Sequence, residues 1–145
     1  ASFKNASIDQ MFTAEQLAAS HVSEVTHLAS MVFLSQPDGT YKAVELPIEA
    51  QFAPIYAIAS KDFDGDGDLD VLIGGNLYKT KPEIGRYDAL RGLYLENDGA
   101  GNFTVVPGGR GFKINGEIRS IKLTDDHVLV GRNSDTIGVF NYAKN

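Results

Sequence analysis

The chain has 145 residues, 43% hydrophobic and 22% charged, which gives one domain enough apolar material for a core and is unlike a disordered segment. Its 13 basic and 19 acidic side chains leave a formal charge of −6, which argues against a nucleic-acid binder, whose footprint is a basic face or stripe. No cysteine is present, so disulfides, thiolate metal sites and cysteine nucleophiles are excluded.

Residues 1–30 read as an N-terminal segment with one short helix. Thr13 followed three residues later by Gln16 has the form of a capping box, and Leu17, Ala18 and His21 to Val25 extend the pattern by a turn or two. The opening ASFKNASIDQ lacks the basic start and apolar core of a secretory leader. No run approaches the ~18 apolar residues of a transmembrane helix. A start on Ala rather than Met is expected of a processed product or a piece of a longer protein.

From Met31 onward the pattern is strand and turn. Nine short apolar or alternating runs follow one another: MVFLS (31–35), TYKAVEL (40–46), IYAIAS (55–60), DVLIGG (70–75), GLYLEN (92–97), NFTVV (102–106), EIRSIKL (117–123), HVLVG (127–131) and TIGVFNY (136–142). The separators PDG, DGDGD, NDGAG, PGGRG, TDD and NSD are rich in residues that accept turn conformations. The rhythm predicts an all-β fold.

Between the third and fourth runs lies DFDGDGDLD, five aspartates in the nine positions 62–70, directly ahead of an apolar strand. Two carboxylates about 4 Å apart repel by roughly 1 kcal/mol in water and several-fold more at a protein surface, so a cation is expected among them. Asp62, Asp64, Asp66 and Asp70 occupy positions 1, 3, 5 and 9 of a calcium loop. Asp68 occupies position 7 and offers its carbonyl, while Gly67 at position 6 permits the sharp turn. An EF-hand would need a bidentate Glu at position 12, where Ile73 stands, and no helical pattern flanks the loop. The expectation is a structural Ca2+ site between two strands, in which the ion does no chemistry.

The connection 77–91 is long for a link between paired strands and carries Glu83, Arg86, Tyr87, Asp88 and Arg91. These residues form a candidate partner-binding loop, and pairing of Arg86 with Asp88 or Glu83 is the plainer alternative. His21, His27 and His127 share no metal-ligand spacing, and no catalytic signature accompanies them, so no catalytic residue is expected. PGGRGF lacks the Lys-Ser/Thr of a phosphate loop and reads as a turn between repeats.

An internal repeat unites these runs. MVFLSQPDGTYKAV aligns with GLYLENDGAGNFTVV, matching Phe33 to Tyr94, Gly39 to Gly101 and Tyr41 to Phe103. IASKDFDGDGDLDVLIGGN aligns with IKLTDDHVLVGRN, matching Val71, Leu72, Gly74 and Asn76 to Val128, Leu129, Gly131 and Asn133. The later copy lacks about five residues, all from the aspartate loop. Four strands in 55–60 residues is the size of a propeller blade, a sheet that cannot cover both of its faces alone. The chain then divides into two strands of one blade, a complete blade over 55–106, and three strands of another.

DFDGDGDLDVLIGGN (62–76) and LYLENDGAGNF (93–103), with its N-x-G-x-G-x-F hairpin, resemble the FG-GAP or VCBS repeats of the integrin α-subunit propeller and of secreted bacterial proteins. MFTAEQL, EVTHLAS, PIEAQFAPIYAI and PEIGRYDA extend the resemblance to the C-terminal part of exported Bacteroidetes-type proteins of this kind. The resemblance implies antiparallel four-stranded blades, one complete and two partial, over 31–145. It implies calcium bound by Asp62, Asp64, Asp66, Asp68 and Asp70, and a non-catalytic role in extracellular, cell-surface or periplasmic adhesion or recognition of a protein or glycan. Unpaired blade faces imply self-association. The alternative is a carbohydrate-binding or carbohydrate-active propeller whose calcium orders a loop near a ligand pocket. TDDH (124–127) departs from the repeat pattern and removes the expectation of a second calcium site.

Overall fold

A computed structural model describes residues 3–141 of the chain. It is mostly β, with strands β1 (Met31–Ser35), β2 (Tyr41–Glu45), β3 (Ile55–Lys61), β4 (Asp70–Gly75), β5 (Leu93–Asn97), β6 (Phe103–Val105), β7 (Ile118–Leu123), β8 (His127–Arg132) and β9 (Gly138–Asn141). They form antiparallel sheets of two, four and three strands, in the orders β1-β2, β3-β4-β5-β6 and β7-β8-β9. These are the divisions the repeat predicts. The last strand begins later than expected because Arg132 holds the preceding turn, its Nε and Nη2 donating to the Thr136 carbonyl at 3.1 and 2.8 Å. Tyr142, the expected end of that strand, lies outside the described residues.

The N-terminal segment holds two short helices, α1 (Ile8–Met11) and α2 (Ala14–Ala18), with no buried residue in either. The expected capping box opens α2: Gln16 N–H donates to Thr13 Oγ1 at 3.2 Å, and Thr13 N–H donates to Gln16 Oε1 at 2.9 Å. The helix stops at Ala19, so His21–Val25 do not continue it. The sequence reading missed α1, where Ser7 N–H donates to Gln10 Oε1 at 3.2 Å. No described helix is long and apolar enough to cross a membrane.

The four-stranded sheet is covered on both faces, and strand alternation supplies each with apolar side chains. Ala57, Leu72 and Tyr94 point one way, into a core completed by Phe112 and by Ile118, Val128 and Val130 of the third sheet. Ile73 and Leu95 point the other way, beside Phe103 and Val105 of β6 and against Ala50 and the partly buried Leu46. Gln51 ties the first hairpin down by accepting from Ser30 N–H at 2.7 Å and donating to the Ser30 and Leu46 carbonyls, both at 3.0 Å.

The hydrogen-bonded register corrects the alignment of the hairpins by one residue. Ser35 pairs with Tyr41 and Asn97 pairs with Phe103, so both hairpins have five-residue connections. Val32 therefore occupies the place of Tyr94, and Phe33 that of Leu95. The distinction is physical, because a one-residue slip exchanges the faces of a sheet.

Asn76, the residue after β4, joins two sheets and a loop. It is 1% exposed, with φ +82°, a region Asn tolerates better than most residues. Its Nδ2 donates to the carbonyls of Leu90 and Gly116 at 2.6 and 2.9 Å, and its Oδ1 accepts from Leu90 N–H at 3.1 Å. The preceding Gly75 is obligatory, since a side chain there would collide with the Pro54 carbonyl. A second junction centres on Glu117, which accepts from Tyr78 N–H at 2.8 Å and Arg119 Nη2 at 2.9 Å. Arg119 also donates to the Asn76 carbonyl at 3.0 Å and lies 4.1 Å from the Tyr56 ring centroid.

Two outcomes follow. Asn76→Ala removes three buried hydrogen bonds and leaves backbone groups unsatisfied, so urea melts should show a loss of about 2–4 kcal/mol. Glu117 is held below the ordinary carboxylate value, first by Tyr78 N–H and then by Arg119. A depressed native value favours folding above the unfolded pKa, and that contribution disappears as pH falls through the native value. The stability advantage of the wild type over Glu117→Gln should therefore be full above about pH 4.5 and close on acidification, as measured by urea melts at a series of pH values.

Candidate metal centre

The aspartate loop occupies residues 62–69, between the paired Lys61 of β3 and Asp70 of β4. Left-handed Gly65 and Gly67, with φ of +87° and +97°, let the chain turn back on its own carboxylates. Asp62 accepts from Gly65 N–H at 2.6 Å and Gly67 N–H at 3.1 Å. Asp64 accepts from Asp66 N–H at 3.2 Å, and Asp66 accepts from Asp68 N–H at 2.9 Å.

Of the five predicted ligands, the structure gathers three side chains. Asp62, Asp64 and Asp70 each offer a carboxylate oxygen, and these atoms lie within 4.8 Å of one another. Asp66 and Asp68 do not join this cluster. The Asp66 carboxylate is turned to the Asp68 N–H, and that of Asp68 lies against Gly99, where any side chain would strike it.

Asp70 is fully buried and anchors the centre. Its Oδ2 accepts from Phe63 N–H at 3.2 Å and Tyr94 O–H at 2.6 Å, while Oδ1 accepts from Asn97 N–H at 3.1 Å. One carboxylate thus connects the loop, β4 and β5. Burial, then the Asp70 carboxylate, push the Tyr94 phenol far above its ordinary value, so it stays a donor across the accessible pH range.

Asp64 has the opposite problem. Burial raises its pKa, and the Asp66 and Asp70 charges add to that shift, although Asp66 N–H and Arg110 oppose it. The native loop holds a proton on Asp64 more tightly than the unfolded chain does. Its contribution is present at low pH and is lost as pH rises through the native value. A bound cation would remove that penalty.

The sequence reading missed Arg110, which it placed in a turn between repeats. Gly108, Gly109, Arg110 and Gly111 all have positive φ, and this left-handed run carries the guanidinium back over the sheet. Arg110 Nη2 lies 3.3 Å from Asp64 Oδ2 and 3.5 Å from Glu96 Oε2, with its guanidinium carbon 5.5 Å from the Tyr94 ring centroid. Flanking glycines were its only sequence signal. One half-exposed guanidinium cannot balance the surrounding acids, because an exposed pair is worth at most about 1 kcal/mol.

In the third sheet only Asp125 and Asp126 separate Thr124 from His127, and Thr124 N–H donates to the His127 carbonyl at 2.9 Å. The aspartate loop has contracted to a tight turn there, six residues shorter than its counterpart rather than about five.

The predicted partner loop 77–91 is pinned by reciprocal bonds between Leu77 and Tyr87, at 2.8 and 2.9 Å. Arg86 stacks on Tyr78, 5.2 Å from the ring centroid, and among the described residues no ion pair joins it to Glu83 or Asp88. Glu83, Arg86, Asp88 and Arg91 are exposed, as is Tyr87. No family model, curated protein or solved structure matches this chain significantly.

The Tyr94 hydroxyl can be tested alone. Tyr94→Phe leaves the ring in the core and withdraws one donor from a buried carboxylate. The expected loss is about 1–3 kcal/mol in chemical denaturation, with the far-UV circular dichroism unchanged.

Proposed function

We propose that the chain is a calcium-stabilised, non-catalytic recognition or scaffold module, built from FG-GAP/VCBS-type propeller blades and working outside the cytoplasm. The observation that carries this reading is the convergence of the Asp62, Asp64 and Asp70 carboxylates within a D-x-D-x-D-G-x-x-D loop. The donors are all hard oxygens, and calcium takes six to eight of them at about 2.3–2.6 Å. Asp62, Asp64 and Asp70 would hold the ion, and Asp66 with the Asp68 carbonyl would complete its shell. Bound there, calcium neutralises charge and fixes the loop.

The blade assignment is supported by the two-four-three division of the strands and by the packing of one face of the middle sheet on the third sheet. An extracellular, cell-surface or periplasmic setting suits the weak sites of extracellular modules, about 0.1–1 mM, which cytosolic calcium would leave empty. The exposed loop 77–91, with Glu83, Arg86, Tyr87, Asp88 and Arg91, is the surface for a protein or glycan partner.

Thermal melts of the wild type and of Asp64→Ala, with calcium and with chelator, test the ion. At about 100 times its dissociation constant, calcium should stabilise the wild type by roughly 2.7 kcal/mol, or about 5–10 °C in Tm, and leave the variant unmoved. Superimposable wild-type curves would refute the calcium reading. Hydrolysis of any member of a polysaccharide panel would favour the carbohydrate-active alternative.

A further inference from the structure

Arg110 reaches the aspartate loop from a connection that is fixed at both ends. Val106 N–H donates to the Tyr94 carbonyl at 3.2 Å, and Phe112 is buried in the core, 6% exposed. Between them the backbone is left-handed at Gly108, Gly109, Arg110 and Gly111, and Arg110 alone of these is not glycine, with φ +48° and ψ +34°. A long side chain is uncommon in that region, and glycine would meet the backbone demand at less cost. The residue found there instead lays a guanidinium on the acidic loop. Its Nη2 lies 3.3 Å from Asp64 Oδ2 and 3.5 Å from Glu96 Oε2, over the Tyr94 ring whose hydroxyl donates to Asp70. The Arg110 side chain is 48% exposed and that of Asp64 only 13%. The arginine therefore has room to swing onto Glu96, while Asp64 stays turned into the loop.

We infer that Arg110 competes with a bound divalent cation for the Asp64 carboxylate and so sets the affinity of the centre, with Glu96 as its second partner. The inference rests on the calcium reading and extends it by assigning a residue that weakens binding. A carboxylate that serves a divalent ion gains little from a guanidinium as well, and the two cations repel. Charges of +2 and +1 about 6 Å apart repel enough in water to weaken binding about tenfold, and physiological salt reduces that to about threefold. Removing the arginine charge should therefore tighten calcium binding by about three- to tenfold. A purely structural arginine behaves differently: its loss would lower stability equally with calcium and with chelator and leave the affinity where it was. A centre softened by its own arginine responds at higher calcium than its carboxylates alone would set, which suits the weak sites of extracellular modules.

Calorimetric titration with calcium chloride, together with thermal melts in calcium and in chelator at about 0.15 M salt, tests it on the wild type, Arg110→Gln, Arg110→Gly and Arg110→Lys. Gln keeps much of the side chain without its charge. Gly suits the left-handed backbone and replaces Gln if that variant alters the circular dichroism. The neutral variants should bind calcium with a Kd about three- to tenfold below that of the wild type and show a larger calcium-dependent gain in Tm, while Arg110→Lys stays near the wild type. A wild type that binds calcium beside neutral variants of equal or higher Kd would overturn the inference and leave the calcium reading standing. Neutral variants that respond where the wild type does not would support the inference and show that the arginine itself serves as the counter-cation. Absence of both heat and Tm gain in all four proteins would overturn the calcium reading, and this inference with it.

Discussion

The buried carboxylate of Asp70 is the constraint around which the middle sheet is arranged. Removing a carboxylate from water costs several kcal/mol even after relaxation. Phe63 N–H, Tyr94 O–H and Asn97 N–H repay that cost through three charge-assisted bonds of about 1.5–3 kcal/mol each. Those donors come from the aspartate loop and from β5, so satisfying one charge fixes the spacing of two strands and the entry to the loop. Three bonds satisfy Asp70 alone. Asp62 and Asp64 bring further negative charge to the same point, with Arg110 as the nearby cation.

The repeat explains how this arrangement is supported and why it occurs once. Asn76 at the end of β4 reaches Gly116 just before β7, and Leu34 of the first hairpin lies where any side chain on Gly101 would strike it. Among the described residues the middle sheet alone carries the long acidic loop. In the third sheet the connection has shrunk to Asp125 and Asp126. His127, which stands where Asp70 does, is exposed, so nothing there requires a buried carboxylate or a counter-ion.

Much of this was legible from residue order because its causes are local. Strand positions follow from alternation and turn chemistry, and the acidic loop declares itself by its spacing. What escaped depended on distance through space. Arg110 reaches Asp64 across 46 positions of chain, carried by left-handed backbone that the sequence marks only with glycines. Tyr94 looked like one more apolar strand residue, and its hydroxyl acquires meaning only beside Asp70. The Phe33 alignment failed by one residue because aromatic matched aromatic, whereas the hydrogen-bond ladder matches hairpin to hairpin. Thr13 and Gln16 marked the start of α2 but carried no information about where it stops, since no buried face sustains it.

Antiparallel order also separates the charges along the stack. The turns 36–40, 62–69, 98–102 and 124–126 lie at one end of their sheets and carry Asp38, the acidic loop, Asp98, Asp125 and Asp126. Asp38 and Asp98 bind their own turns and are held below the ordinary carboxylate value, Asp38 first by the Thr40 hydroxyl at 2.6 Å and then by Thr40 N–H, Asp98 first by the Asn102 side-chain amide at 2.7 Å and then by Asn102 N–H. The connection 77–91 lies at the opposite end and sets Lys79, Lys81, Arg86 and Arg91 against Glu83 and Asp88. Charges separated by more than a Debye length of about 8 Å act independently at physiological salt. The six residues of β4 set these two ends about 20 Å apart, so the acidic turns and the connection 77–91 act independently.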